Sequence, residues 1–158
     1  MFDFRASAFR FGNVVGGRQT HGVAYDFIKR LRVDSTQLTI LGDGTQSKPY
    51  VYVDDVLNSM SLVSERQTKV FDSYNVAPND YTTVAEIAEM VLTAMQIPAD
   101  HCQLKYGNSS RGWKGDVPIV RLNTEKVRAM GWKNTLTSNG AIEKSIKAML
   151  PNAKKLFN

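Results

Sequence analysis

Three short segments concentrate side chains that can hold a polar, anionic ligand. The first, Arg10-Phe11-Gly12-Asn13-Val14-Val15-Gly16, closes an apolar run on an asparagine. Its amide can both donate and accept at the kind of strand end where open α/β sheets receive ligands. The second, Gly42-Asp43-Gly44-Thr45-Gln46-Ser47-Lys48-Pro49-Tyr50-Val51-Tyr52-Val53-Asp54-Asp55, presents Lys48 from a glycine-containing turn, a point charge suited to phosphate. The third, Arg111-Gly112-Trp113-Lys114-Gly115-Asp116-Val117-Pro118, offers a guanidinium that can fork onto phosphate and a carboxylate that can accept from ribose hydroxyls. Each also has a plain structural reading. Asparagine in a turn bonds its own backbone, Gly-Asp-Gly is a common hairpin signal, and Trp113 reads as a packing residue.

The elements that must position these groups follow from periodicity. Ala6 to Phe11 alternates as a strand, with Ser7, Phe9 and Phe11 on one face, and Val14-Val15 prolongs its apolar character until Gly16-Gly17. A helix is expected from Gly22 to about Leu31, with Val23, Phe27, Ile28 and Leu31 as its apolar stripe. Leu38 to Leu41 and Tyr50 to Val53 read as short strands, and Asp54-Asp55 as the cap of a helix carrying Val56, Met60 and Val63. Phe71 to Ala77 is strand-like. Thr83 and Glu86 form a capping box before a helix that runs towards Pro98. Gln103 to Tyr106 is a strand, Ser109 to Asp116 a loop, and helices follow from Thr124 to Gly131 and from Ser138 to Leu150. This alternation favours an α/β or α+β layout. The apolar run Phe9, Phe11, Val14, Val15 asks for cover on both sides, as a strand inside a sheet does.

Composition sets the bounds. The 158 residues, 42% hydrophobic and 22% charged, suit one globular domain. No run of about 18 apolar residues is present to form a membrane span, and Met1-Phe2-Asp3-Phe4-Arg5 lacks the basic-then-apolar layout of a secretory signal. The single cysteine, Cys102, favours a reducing, cytoplasmic setting. The net charge of +5 lies along helix faces without interleaved aromatics, so no nucleic-acid partner is expected.

In order and spacing the three segments resemble the extended short-chain dehydrogenase/reductase family of nucleotide-sugar epimerases and dehydratases, in its C-terminal half. That family carries an Arg-x-x-Asn-x-x-Gly strand end, a Gly-Asp-Gly-x-Gln-x-Arg-Asp segment and an Arg-x-Gly-Asp loop. It also carries a Tyr-Asn-hydrophobic strand and a Leu-Gly-Trp, matched by Tyr74-Asn75-Val76 and Met130-Gly131-Trp132. The resemblance implies a substrate-binding lobe of residues 1–158, with 1–16 and 71–77 as strands of the family's Rossmann sheet and its N-terminal dinucleotide-binding part absent. It implies that Asn13 contacts a sugar diphosphate, that Val23 helps form the nucleotide site, that Thr39 and Leu41 sit against the base, and that Tyr50 flanks it. Lys48 stands where the family has a diphosphate-binding arginine, keeping the charge but losing the bidentate fork. Pro49 replaces an aspartate, and Trp113 stands about where the epimerases have an arginine, between the matching Arg111 and Asp116. Phe11 and Gly12 would pass near the nicotinamide of NAD.

The resemblance implies an NAD-dependent 4-epimerase acting on a nucleotide sugar, most readily a UDP-sugar, with a 4,6-dehydratase as the alternative. The family's Gly-x-x-Gly-x-x-Gly turn does not occur in this sequence. Its Tyr-x-x-x-Lys spacing occurs at Tyr25–Lys29, but after the Asn13 strand, where it reads as a helical surface pair. No catalytic residue and no metal ligand is therefore assigned, and the chain alone is expected to be inactive, with NAD serving the complete enzyme. A non-catalytic nucleotide-sugar-binding module and a basic nucleic-acid-binding protein are the other classes. Exposed apolar strands further predict self-association or pairing with a dinucleotide-binding half.

Overall fold

The computed structural model describes residues 4–151. Its elements run β1 (Ala6–Phe11), β2 (Asn13–Val15), α1 (Val23–Val33), β3 (Gln37–Ile40), β4 (Ser47–Lys48), β5 (Tyr50–Tyr52), α2 (Val53–Arg66) and β6 (Phe71–Val76). They continue as β7 (Thr82–Thr83), α3 (Val84–Ala94), β8 (Gln103–Tyr106), α4 (Glu125–Ala129) and α5 (Ser138–Met149). The strands associate in pairs: β1 with β6, β2 with β5 and β3 with β8 are parallel, whereas β4 with β7 is antiparallel. The class is α/β, one of the two layouts the alternation of periods allows and the one the family resemblance implies.

Strand β5 separates two cores. Its side chains alternate, so Tyr50 and Tyr52 enter one apolar cluster while Val51 enters the other. The larger cluster packs Phe27, Ile28 and Leu31 of α1 against Ile87 and Val91 of α3 and against α5. On α5, Ile142, Ile146 and Met149 are wholly buried, each contributing about 1.5–3 kcal/mol of transfer free energy. The smaller cluster joins Val56 and Val63 of α2 to Tyr74 and Val76 of β6, Val127 of α4 and Trp132. The Trp132 indole donates to the Asp55 carbonyl at 2.9 Å, which ties α2 to the segment after α4.

Two local signals hold, one at a helix start and one at a helix end. Thr83 and Glu86 exchange both bonds of a capping box at the start of α3. Gly131, at φ 100°, ends the turn after α4 in the left-handed region open to glycine.

Other expectations are corrected. Asp54 and Asp55 do not cap α2: the N-cap is Tyr52, and both acids lie in the first turn. Asp55 is instead buried, one carboxylate oxygen accepting from the Thr135 amide at 3.0 Å. Met60, assigned to the apolar face of α2, is exposed. Tyr25, read as half of a surface pair, is buried in the larger core, while Lys29 faces solvent. Val14 and Val15 do not extend β1. The chain changes partner at Gly12, whose amide donates to the Val76 carbonyl, while the next amide, Asn13, donates to Pro49. A Cβ at Gly12 would stand 2.9 Å from the Pro49 carbonyl oxygen, so only glycine allows the two strands so close. The Gly-Asp-Gly turn makes no hairpin, since β3 before it pairs with β8 and β4 after it with β7.

Candidate functional site

The partner change at Gly12 opens a cleft beside the start of β2. In the β2–β5 register Asn13 lies opposite Tyr50, and both line a cavity of about 680 Å³. This volume is in the range of small-molecule sites. Burial pushes the Tyr50 hydroxyl up to about 12; a hydrogen bond with the Asn13 side chain opposes this and the Asp116 charge reinforces it. Tyr50 is therefore a neutral hydrogen-bonding group at any physiological pH.

A second wall comes from α1, whose N-terminal residues Gly22, Val23 and Ala24 border the cavity. Gly22 takes φ 103° as the N-cap, and no side chain caps this end. The positive end of the helix dipole there favours an anion. One turn further along the same face, Asp26, Phe27 and Arg30 also line the space. The Arg30 guanidinium donates to the Thr39 carbonyl at 2.8 Å, holding α1 to β3.

The third wall is the loop between β8 and α4. Lys48 donates to one Asp116 oxygen at 2.6 Å, and the Gly112 amide donates to the other at 3.1 Å. Desolvation acts to raise the Asp116 carboxyl, but the Lys48 hydrogen bond, the Gly112 and Val117 amides and the Lys48 charge together hold it below the usual carboxylate range. Beneath this loop the Gln46 amide donates to the Leu41 carbonyl at 3.1 Å, and its buried Oε1 has no partner among the described residues. Gly42, at φ 81°, makes the room: a Cβ there would fall 1.9 Å from the Gln46 amide nitrogen.

Six of the residues singled out from the sequence thus meet in one cavity: Asn13, Val23, Leu41, Lys48, Tyr50 and Asp116. Four do not. Thr39 is exposed on β3 and is joined to the site only through its carbonyl's bond to Arg30. Arg111 is exposed, its amide donating to the Ser109 hydroxyl, and its side chain is not among those lining the cavity. Phe11 stacks on Phe9 at 5.8 Å between centroids and, like Gly12, lies outside the cavity. Trp113 is not a packing residue: it is 66% exposed and lines the cavity mouth. Sequence reasoning missed Arg30 and Asp26, although positions 23, 26, 27 and 30 share one helical face and Val23 already marked it. Gln46 lay inside a quoted segment without being assigned a role. Gln19 and His21, also on the wall, carried no pattern that would have found them.

Among the described residues no helix is long and apolar enough to cross a membrane. Among the described residues no glycine-rich strand-to-helix turn of the kind that cradles a dinucleotide pyrophosphate occurs either.

Comparison with known proteins bears on the family and the fold. Residues 1–77 match the model of the NAD dependent epimerase/dehydratase family. A putative UDP-glucose 4-epimerase of Methanocaldococcus jannaschii is 22% identical over 156 residues, spanning 96% of this chain and 48% of that protein. The crystal structure of a UDP-galactose 4-epimerase superposes with a TM-score of 0.79 at 31% identity, covering 96% of this chain and 46% of the other. The UDP-glucose 4-epimerase of Thermotoga maritima, solved with UDP-glucose, shares the fold with a TM-score of 0.74 at 23% identity, covering 93% and 46%. The chain spans about half the length of the relatives it matches.

Proposed function

We propose that this chain, a member of the NAD-dependent epimerase/dehydratase family, holds the nucleotide portion of a UDP-hexose for an NAD-dependent sugar-nucleotide 4-epimerase. One observation carries this reading: an uncapped helix N-terminus, an ammonium and a strand-end asparagine converge on one cavity of nucleotide-sugar size. The Val23 turn, Lys48 and Asn13 are donors suited to a diphosphate. Asp116, ionised at neutral pH, is an acceptor for ribose hydroxyls. Leu41 supplies apolar surface for the base, and neutral Tyr50 flanks it. The T. maritima relative solved with UDP-glucose supports this ligand class.

Thr39 and Arg111 would join the ligand only if the loop and β3 shift on binding. NAD would supply hydride acceptance at the sugar in the complete enzyme, and Phe11 and Gly12 would lie at the edge of its site. On this reading the chain alone performs no turnover and binds no NAD; the burial of Tyr25, of the Tyr25–Lys29 spacing, in the core supports the first part. Isothermal titration with UDP-glucose, UDP-galactose and NAD tests the binding reading: UDP-sugars should bind and NAD should not. Incubation with UDP-galactose and NAD, followed by chromatography, should give no UDP-glucose. Robust interconversion by the chain alone would overturn the reading that the chain by itself is inactive.

A further inference from the structure

Trp113 is the largest side chain at the cavity mouth and the least explained by the fold. It is 66% exposed and belongs to neither core cluster. No aromatic ring stacks on it among the described residues. Its position is nonetheless defined. The Asp116 amide donates to the Trp113 carbonyl at 3.0 Å in a tight turn, and a Cβ at Gly115 would stand 2.3 Å from the indole's six-membered ring. The glycine backbone thus backs one side of the ring, and any side chain at 115 would displace it. Leu41, 52% exposed, is a second apolar residue on the same rim. Its carbonyl oxygen would lie 3.4 Å from a Cβ at Gly112, the residue before Trp113.

We infer that Trp113 is a stacking face for the nucleobase of the bound ligand, an inference that rests on the nucleotide-sugar reading above. Asp116 is the acceptor for the ribose and lies one tight turn from Trp113. The group joined to a ribose on the side away from its phosphates is the base, a planar ring matched in shape and polarity to an indole. A pre-positioned, solvent-facing indole gains its burial when such a ring covers it. Leu41 and Trp113 together give this stretch of the cavity lining apolar surface that a base can cover.

Titration calorimetry on the 158-residue chain with UDP and, separately, with inorganic pyrophosphate tests the assignment. Trp113→Ala should weaken UDP binding by about 5- to 100-fold and leave pyrophosphate binding unchanged, while Trp113→Phe retains most of the UDP affinity. UDP should also quench tryptophan emission in the native chain and not in Trp113→Phe, because the other tryptophan, Trp132, is buried. Because Trp113 is exposed, both variants should melt like the parent. UDP binding that survives Trp113→Ala undiminished would overturn this inference alone, as would an equal loss for pyrophosphate. No UDP binding by the native chain would overturn the nucleotide-sugar reading and this inference with it.

Discussion

Lys48 and Asp116, 68 positions apart in the chain, meet at 2.6 Å and join the β4 edge to the loop after β8. The Asp116 side chain is 9% exposed and that of Lys48 22%, so the pair is shielded from water more than a surface ion pair. The loop that carries Trp113 is anchored to the body of the molecule through this contact.

The pair gives stability a defined acid limb. The Asp116 carboxyl is held below its ordinary value in the folded chain. Its contribution is therefore present above the unfolded carboxyl value of about 3.9 and is lost as pH falls through the lower folded value. Asp34, Asp43, Asp72 and Glu86 are lowered too, so the test is a difference. Asp116→Asn should cost about 1–3 kcal/mol at pH 7 and flatten the fall in urea midpoint between neutral pH and pH ~3.

Tyr50 sets an alkaline limb of opposite sign. Its hydroxyl stays protonated to about 12 in the folded chain, whereas an unfolded tyrosine ionises near pH ~10. Stability should decline as pH rises from about 10 to the folded value, by about 3 kcal/mol if the whole shift is realised. Tyr50→Phe should remove that decline. Absorbance titration of tyrosinate should show one tyrosine fewer ionising late in the variant.

Gly42 is the most constrained position near the site. Alanine there faces both φ 81° and the Gln46 amide. Gly42→Ala should destabilise by about 1–3 kcal/mol and weaken UDP-glucose binding by freeing the Leu41 turn. Gly115→Ala should instead displace Trp113 with little change in melting temperature. Parallel melts and titrations separate the two effects.

The β1–β6 pair predicts association. Among the described residues strand β1 has β6 as its one neighbour, and Phe4, Val70 and Phe71 are exposed around it, Phe71 at 63%. Such an edge with apolar flanks recruits further strands. Light scattering at micromolar concentration should report dimers or larger species, and Phe71→Lys should shift them to monomer. A monomeric native chain would count against this reading.

Several elements were legible because their signals are local. The capping box at Thr83, the strand Gln103–Tyr106 and the helix from Ser138 each depend on residues within a few positions of one another. The two-residue strands β4 and β7 were not legible, since a pair of residues has no periodicity. Tyr25 was misplaced because a four-residue spacing says two side chains share a helix side without saying which way that side faces. Trp113 was misplaced because an aromatic residue in a loop carries no pattern that separates packing from presentation.

The sequence by itself determined the alternation of strands and helices, the Thr83–Glu86 capping box and the family likeness, all of which follow from short-range hydrogen bonding and from residue order. Only the tertiary structure decided which of the marked residues meet. Parallel pairing of β2 with β5 sets Asn13 opposite Tyr50, and closure of the loop after β8 sets Asp116 on Lys48. The same closure leaves Thr39 and Arg111 outside the cavity and Trp113 at its mouth. These outcomes depend on register and loop closure between distant segments, and no local spacing encodes them.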